Sequence, residues 1–284
     1  MSGNSQETSF GGIIVRLLML LSAFMLLLSY ASMVVNPAKA WYMTVFGLLF
    51  VPIALINVIF LVFAIRKGSR SSMIPLLALL PSLIFIGRYF QFSSGAAESG
   101  SGTVKILTYN VGHFALGRDP EFRKDGGRAA CADSVIKFIT ESDADIICLQ
   151  EFNLPGEYDV AKFFDRRFPD YNVGYFMYVT DKGSYGNVTL SRFPIVDKGK
   201  LMFDKSSNLA IFTDLKVGEG SVLRVYNCHF ESYNISLSQL KKSVEDKSGE
   251  MMWATEEKMK KSIRRRPEQV DRVMSDIEEC TLET

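Results

Sequence analysis

Three apolar runs at the front of the chain limit what it can fold into more than any other feature. Residues 17–35 hold 19 positions without a charge, residues 40–65 hold 26, and residues 73–86 hold 14. A helix needs about 20 predominantly apolar residues to cross the hydrocarbon of a bilayer. The first two runs meet that length. The third, extended by Gly87, Arg88, Tyr89 and Phe90, meets it if Arg88 snorkels to the interface; otherwise it is a buried or re-entrant helix. The expected spans are about residues 14–35, 41–65 and 73–90, within an anchor of residues 1–92. Only seven charged residues fall in that anchor: Glu7, Arg16, Lys39, Arg66, Lys67, Arg70 and Arg88. The remaining 192 residues carry about 29% charge, ordinary for a soluble domain. A mean hydropathy of +0.11 therefore averages two different polymers. The split excludes a single soluble domain, a fibrous chain and a disordered one. The part after residue 92 is mildly acidic, which argues against a strongly basic nucleic-acid-binding domain.

Arg66, Lys67 and Arg70 crowd the loop between the second and third runs, and Arg16 precedes the first. By the positive-inside rule the N-terminus is cytoplasmic and everything after residue 92 lies outside. Ala38-Lys39-Ala40 resembles a signal-peptidase site, but the apolar region before it exceeds the usual ~7–15 residues. Residues 93–103 (SSGAAESGSGT) read as a flexible tether.

From Val104 the periodicity changes. Residues 104–109 form a short β-type run ending at Asn110, and residues 128–140 carry apolar positions at mostly helical spacing. Residues 145–149 read as a buried strand, and further strands are expected at 171–179, 186–191, 209–217 and 222–230. Many strands follow one another directly, so the α+β or two-sheet sandwich class fits better than a doubly wound sheet. Pro267 suits the first turn of a helix, with Val270, Val273, Met274 and Ile277 on one apolar face.

Three polar residues stand at strand ends: Asn110, Glu151 and His229. Side chains at converging strand ends share a rigid base. A carboxylate there suits a hard cation, since Mg²⁺ takes oxygen ligands and is commonly bound by one or two carboxylates plus substrate phosphate. A neutral amide can orient a ligand or a phosphate oxygen. An imidazole can donate to a phosphate oxygen as negative charge develops. Each signal alone fits a structural hydrogen bond equally well.

The order and wording of the segments around them go further. Thr108-Tyr109-Asn110-Val111, then the run from Asp143 to Glu151 (DADIICLQE), then Gly186 to Ile195 (GNVTLSRFPI), then Val225 to Phe230 (VYNCHF) closely resemble the endonuclease/exonuclease/phosphatase superfamily, the DNase I-like fold. The resemblance runs from about Val104 to the last helix, and the membrane-spanning front resembles that of bacterial, Bacteroides-type members. It implies an α/β four-layered sandwich over residues 104–284, preceded by a bundle of about three transmembrane helices. It also implies phosphoester hydrolysis with Mg²⁺ or Mn²⁺. Glu151 matches the metal-binding Glu, Asn110 the Asn lining the metal and phosphate site, and His229 the His that contacts the scissile phosphate.

Two later motifs of the superfamily, a Gly-Asp-x-Asn strand end and a Ser-Asp-His, do not occur in the sequence, and there are only two histidines, His113 and His229. The expectation is a domain incomplete at its C-terminus and hydrolytically incompetent as written. The partners expected are a bilayer and a phosphoester of the lipid, nucleic-acid or small-molecule class, with no obligate protein partner. The rival expectation is a non-catalytic membrane-anchored scaffold or binding protein retaining the sheet. The placement expected is a bacterial inner membrane with the hydrolase-like domain outside.

Lys258 to Arg266 (KMKKSIRRR) is the one dense basic run and reads as a solvated helix face, with anionic lipid or phosphate contact as the alternatives. Met251, Met252 and Trp253 read as packing residues, with contact to substrate or membrane as the alternative. Cys131, Cys148, Cys228 and Cys280 show no metal-ligand spacing, which makes buried thiols the default and leaves a disulfide open.

Overall fold

The computed structural model describes residues 10–90, 103–112, 127–155, 159–180, 183–233, 235, 237–246 and 248–282. The expected tether falls almost wholly outside the described residues, as does His113. The chain divides into two compact units, residues 1–97 with 233–268, and residues 98–232 with 269–284.

In the first unit the apolar runs become helices α1 (Phe10–Ala31), α2 (Trp41–Leu48), α3 (Phe50–Arg66), α4 (Met73–Leu79) and α5 (Ser82–Phe85). Among the described residues, two helical stretches are long and apolar enough to cross a membrane, Gly11–Ala31 and Arg70–Arg88, or three if the bent pair α2–α3 is one span. The bend is 55° and falls in the second run, the longest. Pro52 supplies the cause: it has no N–H to give the Leu48 carbonyl, and its ring crowds that carbonyl, so the helix breaks at Leu49. Polar groups knit the helices where apolar contact alone would let them slide. Asn57 Nδ2 donates to the Ser22 carbonyl (3.1 Å) and Ser22 Oγ (2.7 Å), and Tyr30 donates from its hydroxyl to the Ala78 carbonyl at 2.9 Å. Leu17, Leu20, Phe24, Leu55, Ile59 and Leu83 point outward, as side chains facing lipid would.

The same unit holds α8 (Leu237–Glu245) and most of α9 (Glu250–Glu279). The expected helix start at Pro267 is incorrect, because α9 begins at Glu250 and runs through the proline. Its true start is capped: Asp246 accepts from Ser248 N and Met251 N, and Ser248 Oγ accepts from Glu250 N. Those bonds hold the Asp246 carboxyl below its ordinary range.

The second unit contains two sheets. Strands β1 (Ile106–Asn110), β2 (Ile146–Pro155), β3 (Asn172–Thr180) and β4 (Gly183–Ser191) form one, in the order β1-β2-β4-β3. Strands β5 (Ile195–Met202), β6 (Leu209–Lys216) and β7 (Val222–Cys228) form the other, all antiparallel. β1 and β2 are parallel, a pairing that needs a crossover, and α6 (Gly127–Glu141) supplies it. β5 was not foreseen: its mixed sequence IVDKGKLM shows no clean alternation.

Alternation sorts the faces. Ile147, Leu149, Val188 and Leu190 meet α6 and α7 (Val160–Arg167) through Ile136, Ile139, Phe164 and Phe168. Ile146, Cys148 and Leu215 meet between the sheets, and Leu201, Phe203 and Ala210 meet Val273 of α9. The layers are helix, sheet, sheet, helix. Of the apolar face expected on α9, only Val273 is buried, while Val270, Met274 and Ile277 are exposed. Polar contacts set the helix's rotation instead: Gln269 accepts from Glu231 N at 2.7 Å and Asp276 from the Tyr226 hydroxyl at 2.7 Å. Beside them Asp214 grips Arg224 through two bonds of 2.7 Å.

The layer between the sheets is unusually polar. Asn227, 1% exposed, donates to the Leu149 (3.1 Å) and Val188 (2.9 Å) carbonyls and accepts from Gln150 Nε2 at 2.7 Å. Asn187, 2% exposed, donates to the Leu209 and Asn227 carbonyls, both at 3.1 Å. A buried amide without partners costs about 1–3 kcal/mol, so each bond specifies one register between the sheets. Asn227→Leu should therefore lower stability by about 3 kcal/mol, since it strands three partners at once. Asn227→Asp should cost as much, because both donated bonds vanish. The denaturant midpoint of the full chain in detergent measures both.

Cys148, Cys228 and Cys280 are free thiols. Burial pushes Cys148 and Cys228 each up to about 11, and burial with Asp276 pushes the Tyr226 phenol up to about 12. These raised values favour the neutral forms. Their contribution is whole below the ordinary thiol and phenol values and is lost as pH rises through about 11 to 12. Native labelling at pH 8 should accordingly modify Cys148 and Cys228 at least about tenfold more slowly than labelling in denaturant. Peptide mass spectrometry of the alkylated chain reads this out.

Candidate functional site

The site begins with a defect in a strand. The pairing of β2 with β4 shifts register between Leu149 and Phe152, and Glu151 sits at φ 52°, a left-handed conformation uncommon for any residue but glycine. The extra residue keeps Leu149, Phe152 and Leu154 all on the helix-facing side. It also takes Glu151 out of the alternation and aims it past the end of β1. Val111 N donates to the Gln150 carbonyl at 3.0 Å, so the end of β1 is tied to the bulge itself.

The structure brings all three expected residues together. Glu151 Oε1 accepts from Asn110 Nδ2 at 3.0 Å and lies 3.0 Å from His229 Nε2. The Glu151 and His229 side chains are about one-fifth exposed, at 22% and 21%. Gly112, at φ 55°, turns its N–H back to Asn110 Oδ1 at 2.9 Å, which fixes the amide so that its nitrogen faces the carboxylate. As placed, Asn110 orients Glu151. His229 stands one residue beyond β7, and its N–H bonds the Leu209 carbonyl at 3.0 Å, extending the ladder under the imidazole.

A cleft opens beside this cluster, lined by Glu151, His229, Tyr178, Tyr185, Gly186 and Asn208 among others. The Tyr178 and Tyr185 rings lie 5.4 Å apart and form an aromatic wall. Gly186 is required by close approach: a Cβ there would collide with the Phe176 carbonyl of β3. Asn208 is held by a bond to the Phe230 carbonyl and by its own N–H on Ser206 Oγ at 3.1 Å. The tyrosines and Asn208 were not singled out from sequence. Their only signal was position near strand ends, which many other polar residues share.

The donor chemistry was tested against a divalent cation. Among the described residues no group of three or more His, Cys, Asp and Glu could hold a metal. One carboxylate next to an open cleft fits Mg²⁺ or Mn²⁺, which keep several waters and take the rest of their ligands from a phosphate.

Residues 107–246 match the model of the Endonuclease/Exonuclease/phosphatase family. Residues 12–89 match a domain of unknown function, DUF8431. No curated protein matches the chain. Solved structures similar to it include an endonuclease/exonuclease/phosphatase family protein from Leptotrichia buccalis, at 16% identity and TM-score 0.34, covering 50% of this chain and 62% of that one. TDP2 from C. elegans is similar at 16% identity and TM-score 0.36, covering 64% and 56%. ANGEL2, a 2′,3′-cyclic phosphatase, is similar at 18% identity and TM-score 0.35, covering 46% and 41%. The chain thus spans about half the length of the solved structures it matches.

The hydrogen bonds predict unequal effects on cation binding. Glu151→Gln should weaken Mn²⁺ binding at least about tenfold, since the only carboxylate of the cluster becomes neutral. Asn110→Ala should weaken it by less, because the carboxylate remains and only its orientation is lost. Water-proton relaxation in a Mn²⁺ titration separates the two.

Proposed function

We propose that residues 104–284 form the phosphate-binding part of a metal-dependent phosphoesterase, held at a membrane by the N-terminal helices. The observation that carries this reading is the sharing of one Glu151 oxygen by Asn110 and His229 at the mouth of a cleft. Glu151 would hold Mg²⁺ or Mn²⁺. Such an ion, when bound, polarises a phosphate oxygen and offsets the charge that develops on it. Asn110 keeps the carboxylate in one orientation. His229 Nε2, beside the carboxylate at the mouth of the cleft, would donate to a phosphate oxygen. Tyr178 and Tyr185 offer an apolar flank to whatever the phosphate carries.

The sequence contains no Gly-Asp-x-Asn and no Ser-Asp-His, the motifs whose residues activate water in the superfamily's pattern. The 284-residue chain is therefore expected to bind a phosphoester without turning it over. This absence equally favours the second reading, a membrane-anchored binding protein that uses the same cleft. The N-terminus is proposed to be cytoplasmic and the cleft to lie on the far side of a bacterial inner membrane, on the strength of Arg66, Lys67 and Arg70.

The test is a panel of duplex DNA, sphingomyelin and inositol phosphate, offered to the full chain in detergent with and without Mg²⁺. Mg²⁺-dependent binding of at least one, lost in Glu151→Gln, with turnover at background, is the expected result. Glu151-dependent turnover would overturn the non-hydrolytic reading. Metal-independent binding, or none, would overturn the site.

A further inference from the structure

The residues from Met251 to Trp253 do not pack. Trp253 is 67% exposed, Met252 58% and Met251 39%, and Val244, across the turn on α8, is 77% exposed. An indole and three aliphatic side chains at the tip of a helical hairpin are a cost in water unless something covers them. The basic run that follows is exposed at Lys258, Lys261 and Arg264, with six Lys and Arg in nine residues.

The helix geometry says what the covering surface is. Lys260 Nζ lies 5.9 Å from the centre of the Trp41 ring, within cation–π reach. Trp41 opens α2, at the end of the second apolar run, where a membrane-spanning segment meets its headgroups. Trp253 precedes Lys260 by seven positions, which returns it to the same face of α9 about 10 Å along the axis. Arg264, eleven positions after Trp253, falls on that face too. The buried positions Ser262 and Gln269 lie on the opposite side. One face of the helix therefore carries an indole at its tip, with Lys260 and Arg264 behind it, Lys261 at its flank and Glu257 paired to Lys260 at 3.0 Å, and is joined to the edge of an apolar helix bundle in the same compact unit.

We propose that the α8–α9 hairpin is a second membrane contact: Trp253, Met252 and Val244 enter the headgroup layer of a bilayer, and Lys261 and Arg264 bind its anionic lipids. Aromatic and aliphatic groups ahead of Lys and Arg are the composition by which amphipathic helices lie in an interface. The surface is independent of the phosphate cleft, and no residue of that cleft takes part.

The chain's two tryptophans make the test direct. Trp41→Phe leaves Trp253 as the sole indole of the full chain, reconstituted in vesicles of phosphatidylcholine with phosphatidylglycerol. Brominated acyl chains should quench its emission about twofold or more, with a blue shift, while acrylamide quenches it poorly. Subtracting the spectrum of the Trp253→Phe chain from the wild type gives the same signal with Trp41 in place, should the first variant fold badly. The double change Lys261→Gln, Arg264→Gln should reduce the bromolipid quenching in anionic vesicles. An indole untouched by bromolipids and open to acrylamide, in chains that float with the vesicles, would overturn the proposal. So would chains that do not float, or quenching equal in neutral and anionic vesicles.

Discussion

Two sheets that meet only through apolar side chains can slide over one another at modest cost, because dispersion contacts re-form at many offsets. Sheets that meet through Asn227 cannot. Its amide reaches two carbonyls on different strands of the opposite sheet while Gln150 reaches back to its oxygen. A shift of one residue would leave all of these groups buried and unpaired. Asn187 repeats the device from the other side. The position of His229 depends on this lock, for it is two residues from Asn227 on the same strand end. Glu151 depends on it as well, being next to Gln150. The carboxylate and imidazole meet because the amides behind them have fixed which strands face each other.

The two units use polar groups in the same economical way for different ends. Among the apolar helices, Asn57 and Tyr30 each span two helices with a side-chain bond to a main-chain carbonyl, where lipid would give no preference between packings. In the sandwich, Gln269 with the Glu231 N–H, and Asp276 with Tyr226, choose the rotation of α9 over the apolar stripe that its sequence offers. Ion pairs and amides here contribute specificity, and the hydrophobic core contributes the bulk of the driving force.

Much of this was legible in the sequence, and the exceptions have physical reasons. The strands around Leu149, Val188, Ile211 and Val225 announce themselves by apolar runs or alternation, and Asn110, Glu151 and His229 by their places at strand ends. β5 is hidden because Asp197, Lys198 and Lys200 interrupt its pattern in a strand with few buried residues, the two lysines lying over the Tyr175 and Phe176 rings of β3. The beginning of α9 is hidden because Pro267 looks like a start, whereas the caps at Asp246 and Ser248 lie 18 or more residues earlier. The break at Leu49 is written in Pro52, but hydropathy averaged over 26 residues does not register one missing N–H. Tyr178 and Tyr185 face each other across the β3–β4 hairpin, and the pair comes to the cleft through the pairing of β4 with β2, a long-range fact no local pattern encodes.

The left-handed backbone at Glu151 puts two demands on one position. Conformation asks for glycine there, and a cation asks for a carboxylate. Selection for stability alone would drift toward glycine and erase the site, while selection for binding holds a side chain the backbone resists. On the proposed metal-binding reading, variants that gain robustness at residue 151 are therefore the ones that would lose the ion, so the trade between endurance and function falls on a single residue.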